Sequence, residues 1–157
     1  MEKIIIAIDP GKNGAIVIYR NLNDITSFVM PLLGKELNEK EICFIIKSFK
    51  SDNCFGIIEK VHSMPSQGVS SMFTFGMGYG MVRMAFTAND IPYQLVTPQA
   101  WKKHVLVGLE KDKSATINYV ARKYPKVNLV PGRKKTPHDG IADAVCIAEY
   151  GKTLIRE

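Results

Sequence analysis

The sequence predicts an α/β domain, a mixed β-sheet with helices packed on it. Two observations carry this. Up to Met30 the chain reads as strand, turn, strand, turn, strand, and from Leu37 onward helix-like and strand-like segments alternate. That order is the pattern of a layered α/β unit. A third observation sets the count: 157 residues make one full hydrophobic core but are too few for two ordinary ones. We expect a single domain over residues 1–157.

Each element has its own signal. Ile4 to Ile8 is an apolar, mostly β-branched run of the kind buried on both faces, and Asp9 ends it. Asp9 to Gly14 carries turn chemistry, Ala15 to Tyr19 resumes the strand, and after a turn at Asn21 to Asp24 a third strand runs from Ile25 to Met30. These three should form an antiparallel meander. Leu37 to Phe49 places Ile42, Ile45, Ile46 and Phe49 near helical spacing, with Asn38 as cap before Glu39 and Glu41. Phe55 to Glu59 is a short buried strand, and Val61 to Ser70 is a Ser/Pro/Gly-rich loop. Ser71 to Thr87 reads as a helix despite three glycines, each costing about 1 kcal/mol relative to Ala. Its Met and Phe stripe is the signature of core packing, and Gly76 and Gly80 would permit close helix approach within the core or across a dimer. Ile91 to Val96 is a strand, Thr97 and Pro98 open a helix near Gln99, and Lys113 to Lys123 is another helix. Pro125 to Pro137 is a basic loop, and His138 to Tyr150 carries a last apolar helical stripe.

Composition limits the functional classes. With 46% hydrophobic and 23% charged residues the chain is that of a globular protein. No run reaches the roughly 20 apolar residues of a membrane span, and the N-terminus lacks a secretory signal, so we expect a cytosolic protein with no membrane partner. Cys43, Cys54 and Cys146 sit in apolar runs without CxxC spacing and read as buried free thiols. A net charge of +6 suits an anionic partner such as nucleic acid. Much of it lies in the last third, in Lys102, Lys103, Lys111, Lys113, Lys123, Lys126, Arg133, Lys134 and Lys135.

The chemistry lies in the acids. Asp9 and Glu59 each end an apolar strand, and Asp139 and Asp143 are four apart on the last helix. Carboxylates at strand ends can converge, and like charges within a few ångströms are unfavourable by several kcal/mol unless a cation or a proton intervenes. Convergence would therefore imply hard divalent ions, Mg²⁺ or Mn²⁺. Each member alone has a plain structural reading: Asp9 as a turn residue, Glu59 as a strand-end charge, the two aspartates as partners of the helix dipole. His138 alone would be a cap; beside two aspartates it is also a candidate proton carrier. Lys12 and the glycines of Asp9 to Gly14 could approach a phosphate, and Trp101 beside Lys102 and Lys103 could stack on a base. The Asp-x-Gly turn also opens phosphate loops of actin-like ATPases, but these need two such domains and the chain lacks a Gly-Lys-Ser/Thr loop.

Three ordered blocks, Ile8-Asp9-Pro10-Gly11, Ile57-Ile58-Glu59-Lys60-Val61 and His138-Asp139-Gly140-Ile141-Ala142-Asp143-Ala144, resemble the RuvC-type Holliday junction resolvases, most closely their phage and chloroplast branch. The stretches Met64 to Gly76 and Val96 to Lys103 are similar to that branch too. The resemblance implies an RNase H-like fold, a five-stranded mixed sheet flanked by helices, in a homodimer that nicks opposing strands of four-way junction DNA. By position, Asp9, Glu59, Asp139 and Asp143 would hold two Mg²⁺ ions per active site, replaceable by Mn²⁺, with Asp139 or His138 as the fourth ligand. The assisting lysines fall on Lys103 and Lys113, and Lys12, His62, Lys102, Arg133, Lys134 and Lys135 would contact DNA. His62 stands where bacterial members carry an aromatic wedge, which passes the opening of the junction to Phe73 or Phe75. The dimer face would be the helix around Gly76 to Phe86. The expected location is the cytoplasm of a bacterial or phage-infected cell, or an organelle nucleoid. Rival readings are an RNase H-like nuclease acting on RNA/DNA hybrids or flaps, and a non-catalytic junction-binding protein.

Overall fold

The computed structural model describes residues 3–110, 112 and 114–155. Strands β1 (Ile4–Asp9), β2 (Ala15–Asn21) and β3 (Asp24–Val29) form the expected antiparallel meander, with Asp9 opposite Ala15 and Ala15 opposite Val29. Two further strands, β6 (Cys54–Glu59) and β7 (Tyr93–Val96), add to the other side of β1 in parallel. The sheet order is β3-β2-β1-β6-β7, so β1 lies at its centre. A hairpin of β4 (Leu32–Leu33) and β5 (Glu36–Leu37) precedes the first helix. It was not expected, because two residues per strand are too few to show a period.

Both faces of the sheet are covered, and alternation along β1 decides what touches what. Ile6 and Ile8, with Ile16, Ile18 and Ile58, pack against α1 (Glu39–Ser48) and α2 (Val69–Ala88). Ile5 and Ala7, with Val17 and Ile57, pack against α3 (Pro98–Val105), α4 (Ala115–Lys123) and α5 (Asp139–Leu154). The burial of α5 is nearly continuous from Gly140 to Ala148, interrupted at Asp143. Gly151 lets it lie close on the sheet, since a Cβ there would be 2.6 Å from Ile57.

Helix starts follow the predicted caps. The Asn38 side chain accepts from the Glu41 amide at 3.1 Å, and Thr97 accepts from Ala100 at 3.2 Å ahead of Pro98. Each satisfies an amide that the first turn leaves unpaired. In α2 the glycines divide. Gly78 is buried against Leu37, whereas Gly76 and Gly80 are exposed and meet nothing within 4 Å, so they do not serve close helix approach within the core. Cys54 and Cys146 are buried free thiols and Cys43 is half-buried. Among the described residues no helix is long and apolar enough to cross a membrane.

Candidate active site

Register alone brings Asp9 and Glu59 together. They are the last residues of β1 and β6, adjacent parallel strands in which Ile8 pairs with Ile58. By the period of two, Asp9 falls on the same face as Ile5 and Ala7, and Glu59 on the same face as Ile57. That is the face covered by α5.

The first turns of α5 come to these carboxylates because Gly140 removes a side chain from the contact, and Gly14 lets the facing turn close on itself. A Cβ on Gly140 would lie 2.2 Å from the Asn13 carbonyl oxygen, and one on Gly14 would lie 1.8 Å from the Asp9 carbonyl oxygen. Only bare backbone fits at Gly140, so the Asp9–Gly14 turn seats directly on the start of α5. Gly11, at φ +108°, closes the turn with a conformation favourable to glycine alone and sits 3.0 Å, measured from an ideal Cβ, from the ring of Phe75. His138 caps α5: its Nδ1 accepts from the Ile141 amide at 3.1 Å. The cap reading of His138 is thus correct, and only Nε2 remains for any other task.

The electrostatics record the convergence. Asp9 is pushed up to about 8, first by burial and then by the negative charges of Glu59, Asp143 and Asp139, with Lys102 opposing. Burial also raises Glu59, against a hydrogen bond from Trp101, and raises Asp143, against a hydrogen bond from Thr116 and the charge of Lys102. His138 is lowered by burial and is neutral at pH 7. Among the described residues no three acidic, His or Cys side chains close into a ready-made chelate. Asp9 and Asp139 line an open cleft of about 630 Å³ together with Gly11, Lys12, Thr74 and Phe75.

The remaining predicted residues scatter. Lys12, His62, Lys103, Arg133, Lys134 and Lys135 are exposed, Phe73 is 72% exposed, and Phe75 is half-buried in the cleft wall. Lys113 lies outside the described residues. Among the described residues Lys102 is a cation whose charge acts on Asp9, Glu59 and Asp143. Trp101 corrects the sequence reading: it is fully buried and cannot stack on a base. Its indole N–H donates to Glu59 Oε2 at 2.6 Å. The i, i+4 pair Trp101 and Val105, both buried, was the signal that turns Trp101 inward. Thr116 had no signal in the sequence.

Comparison with known proteins agrees with this architecture. No family model matches the chain. A protein of Prochlorococcus marinus subsp. pastoris named as a candidate pre-16S rRNA nuclease is 27% identical over 124 residues, 78% of this chain and 81% of its own. Thermus thermophilus RuvC in complex with a Holliday junction substrate superposes with a TM-score of 0.67 at 14% identity, over 98% of this chain and 96% of that one. A second structure of T. thermophilus RuvC superposes at 0.61, also at 14% identity, over 96% of both chains. The fold is RuvC-type and RNase H-like, as expected.

Proposed function

We propose that the protein is a metal-dependent nuclease that cuts branched nucleic acid, with four-way junction DNA as its substrate. The observation that carries this is that Asp9 and Glu59 end adjacent parallel strands on the face covered by α5, close enough to its first turns for the charges of Asp139 and Asp143 to act on Asp9. A structural role does not call for four clustered acids. The donor set is all carboxylate oxygen, which fits Mg²⁺ or Mn²⁺. Bound there, two such ions would supply an activated water and offset charge on the leaving 3′ oxygen, giving 5′-phosphate and 3′-hydroxyl ends.

The chain's own residues do the rest. The four acids hold and orient, and Asp9 on the central strand is the natural shared ligand. With Nδ1 engaged as the cap of α5, His138 serves the site through Nε2 and leaves the fourth place to Asp139. Lys102 offsets phosphate charge beside the acids, while Lys12, His62, Lys103, Lys113, Arg133, Lys134 and Lys135 hold the backbone. Phe75, at the cleft wall, or exposed Phe73 would open the junction. The RuvC neighbour bound to a junction supports that substrate class, and a two-fold junction suits a homodimer using the exposed Gly76 and Gly80 face of α2. Assignment to the phage and chloroplast branch rests on the motifs of Met64 to Gly76 and Val96 to Lys103.

A second reading, nuclease action on structured RNA, is favoured by the name of the sequence relative. Incubating wild type and Asp9→Asn in Mg²⁺ with labelled four-way junction, linear duplex, RNA/DNA hybrid and folded RNA separates the two. Paired symmetric junction nicks, lost in Asp9→Asn while binding persists, are expected. RNA cleavage alone would replace the first reading with the second, and binding without cleavage by either metal would refute both.

A further inference from the structure

We infer that Trp101 is a positioning residue that holds two oppositely charged members of the site, Glu59 by its N–H and Lys102 by its ring face, and so sets metal affinity. The inference rests on the metal-dependent reading given above. Trp101 is the only tryptophan of the chain and is fully buried, so it contacts the site without contacting substrate.

Its chemistry makes the assignment specific. An indole N–H is a donor and nothing else, so at 2.6 Å from Glu59 Oε2 it can only favour a carboxylate oxygen. This bond ties Oε2, and a metal would be held through Oε1. The hydrogen bond also opposes the burial that would neutralise Glu59. Lys102 lies over the same side chain, its Nζ 5.2 Å from the ring centroid, within the range of a cation–π contact. An ammonium at that distance is oriented by the π face, and the charge of Lys102 reaches Asp9, Glu59 and Asp143. One rigid, buried ring thus fixes an anion that binds metal and a cation that offsets phosphate. A group that orients a metal ligand through its second oxygen typically changes metal affinity by about 10- to 100-fold when removed.

Trp101→Phe separates the two contacts, because a phenyl ring keeps a π face and loses the N–H. Calorimetric titration with Mn²⁺ alone should show its affinity weakened by about 10- to 100-fold, while binding of four-way junction DNA in chelator stays within about twofold of wild type. In wild type, Mg²⁺ should shift the Trp101 emission, and Glu59→Gln should abolish the shift. That second measurement does not depend on the Phe variant folding. Equal Mn²⁺ affinity in a folded Trp101→Phe, or emission unmoved at Mg²⁺ concentrations that saturate the wild type by calorimetry, would overturn the inference and leave the nuclease reading standing. Failure of the wild type to bind Mn²⁺ at all would overturn both.

Discussion

Replacing Asp9 by Asn should make the metal-free protein more stable, and increasingly so as pH rises. The Asp9 carboxyl moves from 3.8 in an unperturbed chain to about 8 in the folded one, by burial first and then by the charges of Glu59, Asp143 and Asp139. A carboxyl with a higher pKa folded than unfolded takes up a proton on folding. Its contribution to stability is therefore neutral below about pH 4 and falls progressively as pH rises toward 8, then levels off. At about 1.4 kcal/mol per pH unit the ceiling is roughly 6 kcal/mol. Asp9 is only half-buried and borders an open cleft, so water and salt reduce this to roughly 2–3 kcal/mol. Asn keeps the shape and removes the charge. Urea unfolding of both proteins in chelator at about pH 3.5, 6 and 9 would show curves that nearly coincide at the lowest pH and separate by roughly 2–3 kcal/mol at pH 9. Adding Mg²⁺ at pH 9 should close the gap from the wild-type side, because an ion that binds only the folded state stabilises it. Parallel curves for the two proteins would refute the convergence of the acids.

Other substitutions address other links. Gly140→Ala would drive a methyl into the Asn13 carbonyl; we expect a loss of roughly 1–3 kcal/mol in thermal or urea unfolding, with nuclease activity lost well below the melting temperature. Asp143→Asn should reduce cleavage by at least about 100-fold with junction affinity retained, measured by single-turnover cutting and by anisotropy. Lys102→Ala should lower cleavage more than Lys103→Ala, because the charge of Lys102 bears on the acids; equal effects would return the role to the sequence-based assignment. Glu149→Gln should destabilise by roughly 1–3 kcal/mol in denaturant melts, since its carboxylate accepts from Tyr119 at 2.8 Å and from Tyr124 at 2.7 Å and pairs with Lys123, binding α4 to α5.

The strands and their acidic ends were legible because buried parallel strands must be apolar throughout, so a carboxylate at the end of Ile4 to Ile8 or of Phe55 to Ile58 stands out. The meander was legible from its turn residues, and the caps Asn38 and Thr97 from their position before apolar stripes. The β4–β5 hairpin was not, since a pairing of Leu32 with Leu37 and Leu33 with Glu36 is set by a single turn at Gly34. Within the site, Asp9 and Glu59 were legible as neighbours because each ends an apolar strand, and these strands pair in parallel. Adjacent residues on one helix were harder. Trp101, Lys102 and Lys103 point in directions fixed by the packing of α3 on the core, and buried Trp101 and Val105 determine that orientation. Thr116, which reaches Asp143 from α4, required knowledge of how α4 packs on α5.

The central claim is that Asp9, Glu59, Asp139 and Asp143 form one metal-binding site. Crystals of the wild type soaked in Mn²⁺ would locate the ion by its anomalous scattering, with Asp9→Asn crystals as the control. The account predicts Mn²⁺ between Asp9 and its neighbouring carboxylates in the wild type and a weakened or absent peak in the variant. Mn²⁺ bound elsewhere, with none at this cluster in either protein, would contradict it.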